Sequence, residues 1–230
     1  MYVRGRFKKI GYIRLVGHLD TMKIIIRAFN RAGLPITYSE GFNKSPKLAL
    51  SQSLPLGVQS LEEFVDFEIN EKIDLEKAID KINSELPNGI RFYYLCYSEK
   101  KERLVNLIKF QKYRINFYQD LDMDKLEEAI KILLESESYF IKKVKINKKR
   151  KGPKYIETNL NIRSYLTDCY LDKKDASFYY TSQVDDQVYL RYDDLFKGLF
   201  ELMGLDFDRS ILSVLKLSQL DENMKEISLI

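Results

Sequence analysis

One order of elements, readable twice along the chain, constrains its fold more than any other feature. Alternating apolar positions mark strands, and apolar positions three and four apart mark helices. Val3 to Ile10 alternates Val3, Gly5, Phe7 and Lys9 against Arg4, Arg6, Lys8 and Ile10, so it reads as a strand that Tyr12 to Val16 extends or pairs with. A helix follows, because Leu19, Met22, Ile25, Ile26, Phe29 and Ala32 recur at helical spacing before Gly33 and Pro35 stop it. Lys47 to Ser53 and Phe64 to Ile69 read as strands around the Pro55 and Gly57 turn. Asp74 then caps a helix whose apolar face is Leu75, Ala78, Ile79 and Ile82, and Ile90 to Tyr97 closes the first half as a strand.

The second half runs in the same order. Lys112 to Tyr118 is a strand, Asp122 or Asp124 caps a helix with Leu126, Ala129, Ile130 and Leu133 inward, and Tyr139 to Ile146 is the next strand. Ser177 to Val184 and Val188 to Tyr192 read as a hairpin around Asp185-Asp186-Gln187. Asp193 or Asp194 caps a helix through Met203, and Ile211 to Leu217 is the last strand. The expectation is an α+β protein of two tandem ferredoxin-like halves, each βαββαβ, with mainly antiparallel sheets. The halves span 1–100 and 110–230 and join near Glu99 to Gln111; the stretch Lys151 to Leu171 fits this order poorly.

A chain of 230 residues, 45% hydrophobic, has material for two cores. No stretch approaches the roughly 18 uninterrupted apolar residues of a membrane helix, and the basic start Met1 to Arg6 has no apolar run behind it. A cytoplasmic protein with no membrane partner is expected. Cys96 and Cys169 stand apart in apolar or aromatic surroundings, which reads as two buried thiols without a disulfide framework.

Charge is unevenly spread. Residues 1–50 hold ten Lys and Arg against Asp20 and Glu40 alone, whereas residues 51–100 hold five against ten acids. Lys23, Arg27 and Arg31 fall four apart and form a stripe on one helix face. A second basic block, near 142–154, contains Lys142, Lys143, Lys145, Lys148, Lys149, Arg150, Lys151 and Lys154 with no acid among them. Such density is the footprint of phosphate-backbone contact, or else a well-solvated surface.

His18 is the sole histidine. With Asp20 nearby it is a candidate general acid or base; alternatively it satisfies the first amides of its helix or packs beneath it. The loop of Tyr38, Ser39, Glu40, Gly41, Phe42, Asn43, Lys44, Ser45, Pro46 and Lys47 gathers many polar groups in a short span. There Phe42 can stack on a base and Lys44 and Lys47 can meet phosphates; alternatively the segment is a long turn with Phe42 tucked into the core. Glu63, Asp66 and Glu68 can pair with basic residues or act as acids, but read foremost as an exposed strand face. A P-loop, a dinucleotide-binding glycine fingerprint and a cysteine triplet for an iron–sulfur cluster are all missing, so no metal and no cofactor are implied.

The segments Gly17-His18-Leu19-Asp20, Arg27 to Pro35, Tyr38 to Asn43, Pro46-Lys47 and Leu54 to Val58 together resemble the radical SAM-linked protein family. This is a domain of unknown function typically encoded beside, or fused to, a cobalamin-binding radical SAM protein. The resemblance implies that partner more than it implies a reaction. Where relatives commonly read Asn-Pro-His-Pro-Lys, this chain has Asn43-Lys44-Ser45-Pro46-Lys47, which removes a histidine from the loop. Joined to the two basic blocks, the resemblance leads to an accessory protein that presents structured RNA, tRNA or rRNA, to such an enzyme, without being an enzyme on its own. The alternatives are an RNA-modifying or RNA-processing enzyme of tandem ferredoxin-like fold, with His18 and Asp20 in its pocket, and a small-molecule or protein-binding module.

Overall fold

A computed structural model describes residues 1–99, 102–146, 155–185 and 188–229. The chain is α+β, and its backbone divides into two units, Met1–Lys112 with Val214–Ile230, and Tyr113–Ser213. Whereas the sequence reading ends its first half at residue 100, the chain's last residues return to the first unit.

The first unit holds β1 (Tyr2–Lys9), α1 (His18–Arg31), β2 (Leu48–Leu50), β3 (Gln59–Glu68), α2 (Leu75–Glu85), β4 (Ile90–Ser98) and the one-turn α3 (Leu104–Leu107). β5 (Phe110–Phe117) begins in this unit and β11 (Leu212–Leu220) ends in it. Tyr12 to Val16, expected to extend or pair with the first strand, instead falls in a 3-10 helix, Gly11–Leu15, and its C-cap Val16, with Gly11 at φ 71°. Strands run in the order β11-β3-β1-β4, with β2 on β3. β1–β3, β1–β4 and β2–β3 are antiparallel, and β11–β3 is parallel.

The apolar faces of α1 and α2 explain the core. Ile25, Ala28 and Phe29 of α1 and Ala78 and Ile82 of α2 are buried with Val3, Phe7, Val65, Phe67 and Phe92. The Phe29 ring lies 4.8 Å from that of Phe67 and 5.5 Å from that of Phe92. Burying each such phenylalanine contributes about 1.5–3 kcal/mol. Asp74 caps α2 as expected, its carboxylate accepting from the Lys77 amide at 3.1 Å. Gly89 turns the chain into β4 at φ 100°, and a side chain there would run into the Ile10 carbonyl oxygen.

The second unit contains the rest of β5, then α4 (Met123–Glu135), β6 (Phe140–Ile146), β7 (Tyr155–Asn161), β8 (Leu166–Asp172), β9 (Ser177–Asp185), β10 (Val188–Tyr189), α5 (Tyr192–Leu202) and the start of β11. Its strands run β10-β9-β5-β11, with β8 on β9. β6 and β7 form a separate antiparallel hairpin in register from Phe140↔Asn161 to Ile146↔Tyr155. This hairpin accounts for the stretch that fitted poorly: β8, rather than Tyr139 to Ile146, pairs with β9. Phe178, Phe196 and Phe200 form an aromatic core, with Phe178 and Phe196 edge to face at 5.2 Å.

Cys96 and Cys169 are free and buried, and burial pushes the Cys169 thiol up to about 12. Among the described residues no helix is long and apolar enough to cross a membrane.

Candidate functional site

In the first unit a cluster of charge is buried where β1, β3 and β11 lie side by side. Ser60 of β3 is in register with Lys9 of β1 on one side and with Lys216 of β11 on the other. Between Phe7↔Glu63 and Lys9↔Ser60, two steps along β1 match three along β3, so β3 carries one extra residue there. Residues three apart on a regular strand point to opposite faces. The bulge removes that alternation and brings Glu63 to the face occupied by Ser60 and the two lysines.

Lys216 Nζ lies 2.6 Å from Glu63 Oε1, and the Ser51 hydroxyl donates to Glu63 Oε2 at 3.4 Å. Lys9 Nζ donates to the Val16 carbonyl at 2.5 Å. Lys9, Lys216 and Glu63 are 2%, 1% and 5% exposed. Burial holds the Lys9 ammonium below its usual range, offset in part by the Glu63 carboxylate.

His18 opens α1 beside this cluster. It caps nothing: Gly17 is the N-cap, and the imidazole makes no hydrogen bond among the described residues. Burial pulls its pKa below 6.5; Glu63 opposes the shift, and Lys9 and Lys216 reinforce it. Asp20 is not its charged neighbour. That carboxylate sits on the exposed side of the helix and pairs with Lys23 at 3.0 Å.

The Glu63, Asp66 and Glu68 carboxylates are not an exposed face, as expected from sequence, because β3 is an interior strand. Asp66 pairs with the buried Arg4 at 3.1 Å and Glu68 with Lys47 at 3.1 Å. The neighbouring Glu62 accepts from the Gln219 amide at 2.8 Å and lies 3.4 Å from Arg6. Lys9, Ser60 and Lys216 were missed by sequence reasoning, whereas Glu63 was named but read foremost as part of an exposed strand face. The one available signal was the adjacent pair Glu62-Glu63, which breaks the alternation of β3.

The loop after α1 is stapled at its base and open at its tip. The Ser39 amide donates to the Ser45 carbonyl at 2.8 Å, and the Ser45 amide donates to Ser39 Oγ at 3.0 Å. Tyr38 bridges to Pro46, and its hydroxyl donates to Asn30 Oδ1 at 3.1 Å. Beyond the staple Glu40, Gly41, Phe42, Asn43 and Lys44 are all exposed or nearly so, with Gly41 at φ 110°. Phe42 is fully exposed, which removes the reading of it as a core residue.

Lys23, Arg27 and Arg31 share the exposed face of α1 as expected. Lys23 pairs with Asp20, and Arg31 Nε meets Glu85 Oε2 at 2.7 Å, leaving Arg27 as the stripe cation without an ion pair among the described residues. In the second basic block, Lys143 pairs with Asp194 at 2.6 Å. Lys148, Lys149, Arg150, Lys151 and Lys154 lie outside the described residues. A separate pocket of about 470 Å³ is lined by Arg6, Tyr93, Tyr94 and the segment Glu226 to Leu229.

Residues 3–191 match the family model DUF2344, described as an uncharacterized protein conserved in bacteria. The chain belongs to this family. No curated protein matches it. A solved structure similar to DUF2344 here is the crystal structure of a Cbf5-Nop10-Gar1 complex, at 10% identity and a TM-score of 0.43. The match covers 98% of this chain and 52% of that one, so the chain spans about half its length.

Proposed function

We propose that this DUF2344 chain is an accessory protein that presents structured RNA to a cobalamin-binding radical SAM enzyme. The observation that carries the reading is Phe42, an aromatic ring fully exposed at the tip of a loop closed beneath it by Ser39 and Ser45. An exposed aromatic beside a lysine is the unit from which single-stranded nucleic acid is gripped: the ring stacks on a base and the ammonium meets phosphate. Lys44 supplies the cation, and Arg27 adds a further one without an ion-pair partner among the described residues. The partner comes from the resemblance to the radical SAM-linked family. The pairing orders β4-β1-β3-β2 and β11-β5-β9-β8 support reading the two units as ferredoxin-like halves.

The buried charges beside His18 favour a second reading, an enzyme acting on RNA with His18 as general acid or base. Turnover by the radical SAM partner, measured with wild type and His18→Asn, separates the two. The accessory reading expects activity near wild type. A general acid or base contributes about 10²–10⁴-fold, so a hundredfold loss at an unchanged melting temperature would place catalysis on this chain.

A further inference from the structure

We infer that Lys9, Lys216 and His18 form a binding site for the phosphate group of a ligand, with Lys9 as its principal cation; the Ser60 hydroxyl between the lysines is engaged by Glu62, donating to its carbonyl and accepting from its amide. Lys9 and Lys216 flank Ser60 in register, one from each side, both are buried, and the carboxylate ion-paired within the cluster among the described residues is Glu63. Glu63 is committed to Lys216 at 2.6 Å. Lys9 is left with a neutral carbonyl, that of Val16, which occupies one of its three donors. A buried ammonium hydrogen-bonded to a neutral acceptor, with the nearby Glu63 charge already paired to Lys216, is expensive to maintain, and the cluster as a whole carries one positive charge too many. An anion supplied by a ligand removes that excess.

Access is from the Val16 to His18 side. These three residues are partly exposed, and a side chain added at Gly17 would meet no atom within 4 Å. The Lys9 ammonium therefore lies directly under surface backbone. Gly17 adopts φ −68° and ψ 167°, a conformation open to any residue, so backbone geometry does not demand glycine there.

Phosphate suits the donor set better than carboxylate does. Planar carboxylates favour the fork of an arginine, whereas lysines act as point charges around a tetrahedral oxyanion. With His18 neutral, the cluster's single excess charge matches a phosphodiester; protonating His18 brings it to the charge of a monoester dianion. The site is independent of Phe42 and of whether the chain carries RNA.

His18 is the sole histidine, so its ring protons give one resolved NMR signal that reports on this site. The full chain is titrated with inorganic phosphate, with dimethyl phosphate, and with sodium chloride at matched ionic strength, and the His18 pKa is read at each step. The expected result is a saturable rise of about one unit with a phosphate probe and none with chloride. Saturation by inorganic phosphate alone assigns the site to terminal monoesters, and saturation by dimethyl phosphate assigns it to backbone diesters. Lys9→Met, which replaces the ammonium with an apolar side chain of similar length, should abolish the response. A response to both probes no larger than that to chloride, or one retained in folded Lys9→Met, overturns the site; the wild-type titrations stand alone if that variant does not fold.

Discussion

Glu63 is the residue whose neighbours make the strongest demand on it. Its carboxylate balances the Lys216 ammonium at 2.6 Å, with both side chains almost wholly buried. Glu63→Gln keeps the shape and removes the charge, leaving Lys216 uncompensated. Breaking a buried pair from one side costs about 3–5 kcal/mol, so urea unfolding should show a loss of that order. Adding Lys216→Met should recover much of it, because the penalty belongs to the stranded ammonium and not to the missing contact. A double variant as unstable as the single one would mean that Glu63 matters for its shape. Glu63 was legible as a carboxylate able to pair with a basic residue, but its partner was not. Lys216 stands 153 positions after Glu63 and sits between Leu215 and Leu217, a spacing that strand alternation assigns to a solvent face. Only the parallel β11–β3 pairing buries it. His18, by contrast, was legible as lying at the start of a helix, but its supposed partner Asp20 pairs with Lys23 instead.

At the scale of elements, the helices were the most readable parts. Ile25 and Phe29 keep the expected inward spacing in α1, joined by Ala28 while Leu19 is exposed, and Asp74 and Asp122 cap α2 and α4. Strand pairing was less readable, since alternation marks a strand without naming its neighbour. Tyr139 to Ile146 has a valid strand pattern, yet it folds onto Tyr155 to Asn161 in a separate hairpin and leaves β8 to join β9. The bulge in β3 was not readable as such, because an extra residue leaves no compositional mark beyond the Glu62-Glu63 pair. Turns give a sharper test. At Gly89 both a positive φ and the Ile10 carbonyl oxygen, which receives no relief from rotamer changes, oppose a side chain. The Ile10 amide donates to the Gly89 carbonyl at 2.8 Å, so displacing one strand disturbs the other. Gly89→Ala should therefore cost about 1–3 kcal/mol, measured by chemical denaturation. Gly33→Ala, at φ 71° with open space around it, serves as the comparison and should cost less. Equal losses would show that backbone strain alone, without the collision, sets the cost.

For the whole molecule, charge and the exposed loop carry the functional account. Lys and Arg exceed Asp and Glu by 38 to 34, a small surplus whose concentration matters more than its size. The stripe on α1 was legible as a row of cations, but the partners of Lys23 and Arg31 were not, because Glu85 lies on a different helix. Phe42 was legible as a candidate, and its exposure is what distinguishes a contact residue from a core one. The central claim is that this chain binds RNA through phosphates and through Phe42. Filter binding of a structured RNA over a salt series, with wild type, Phe42→Ala and a charge reversal at Lys148, Lys149 and Arg150, tests it most directly. Affinity should fall linearly with the logarithm of salt concentration, and the charge reversal should weaken binding to all sequences and flatten that slope. Phe42→Ala should weaken binding by about 1–3 kcal/mol while leaving the slope unchanged. Absence of binding at low salt, or binding that Phe42→Ala leaves untouched, would contradict the account.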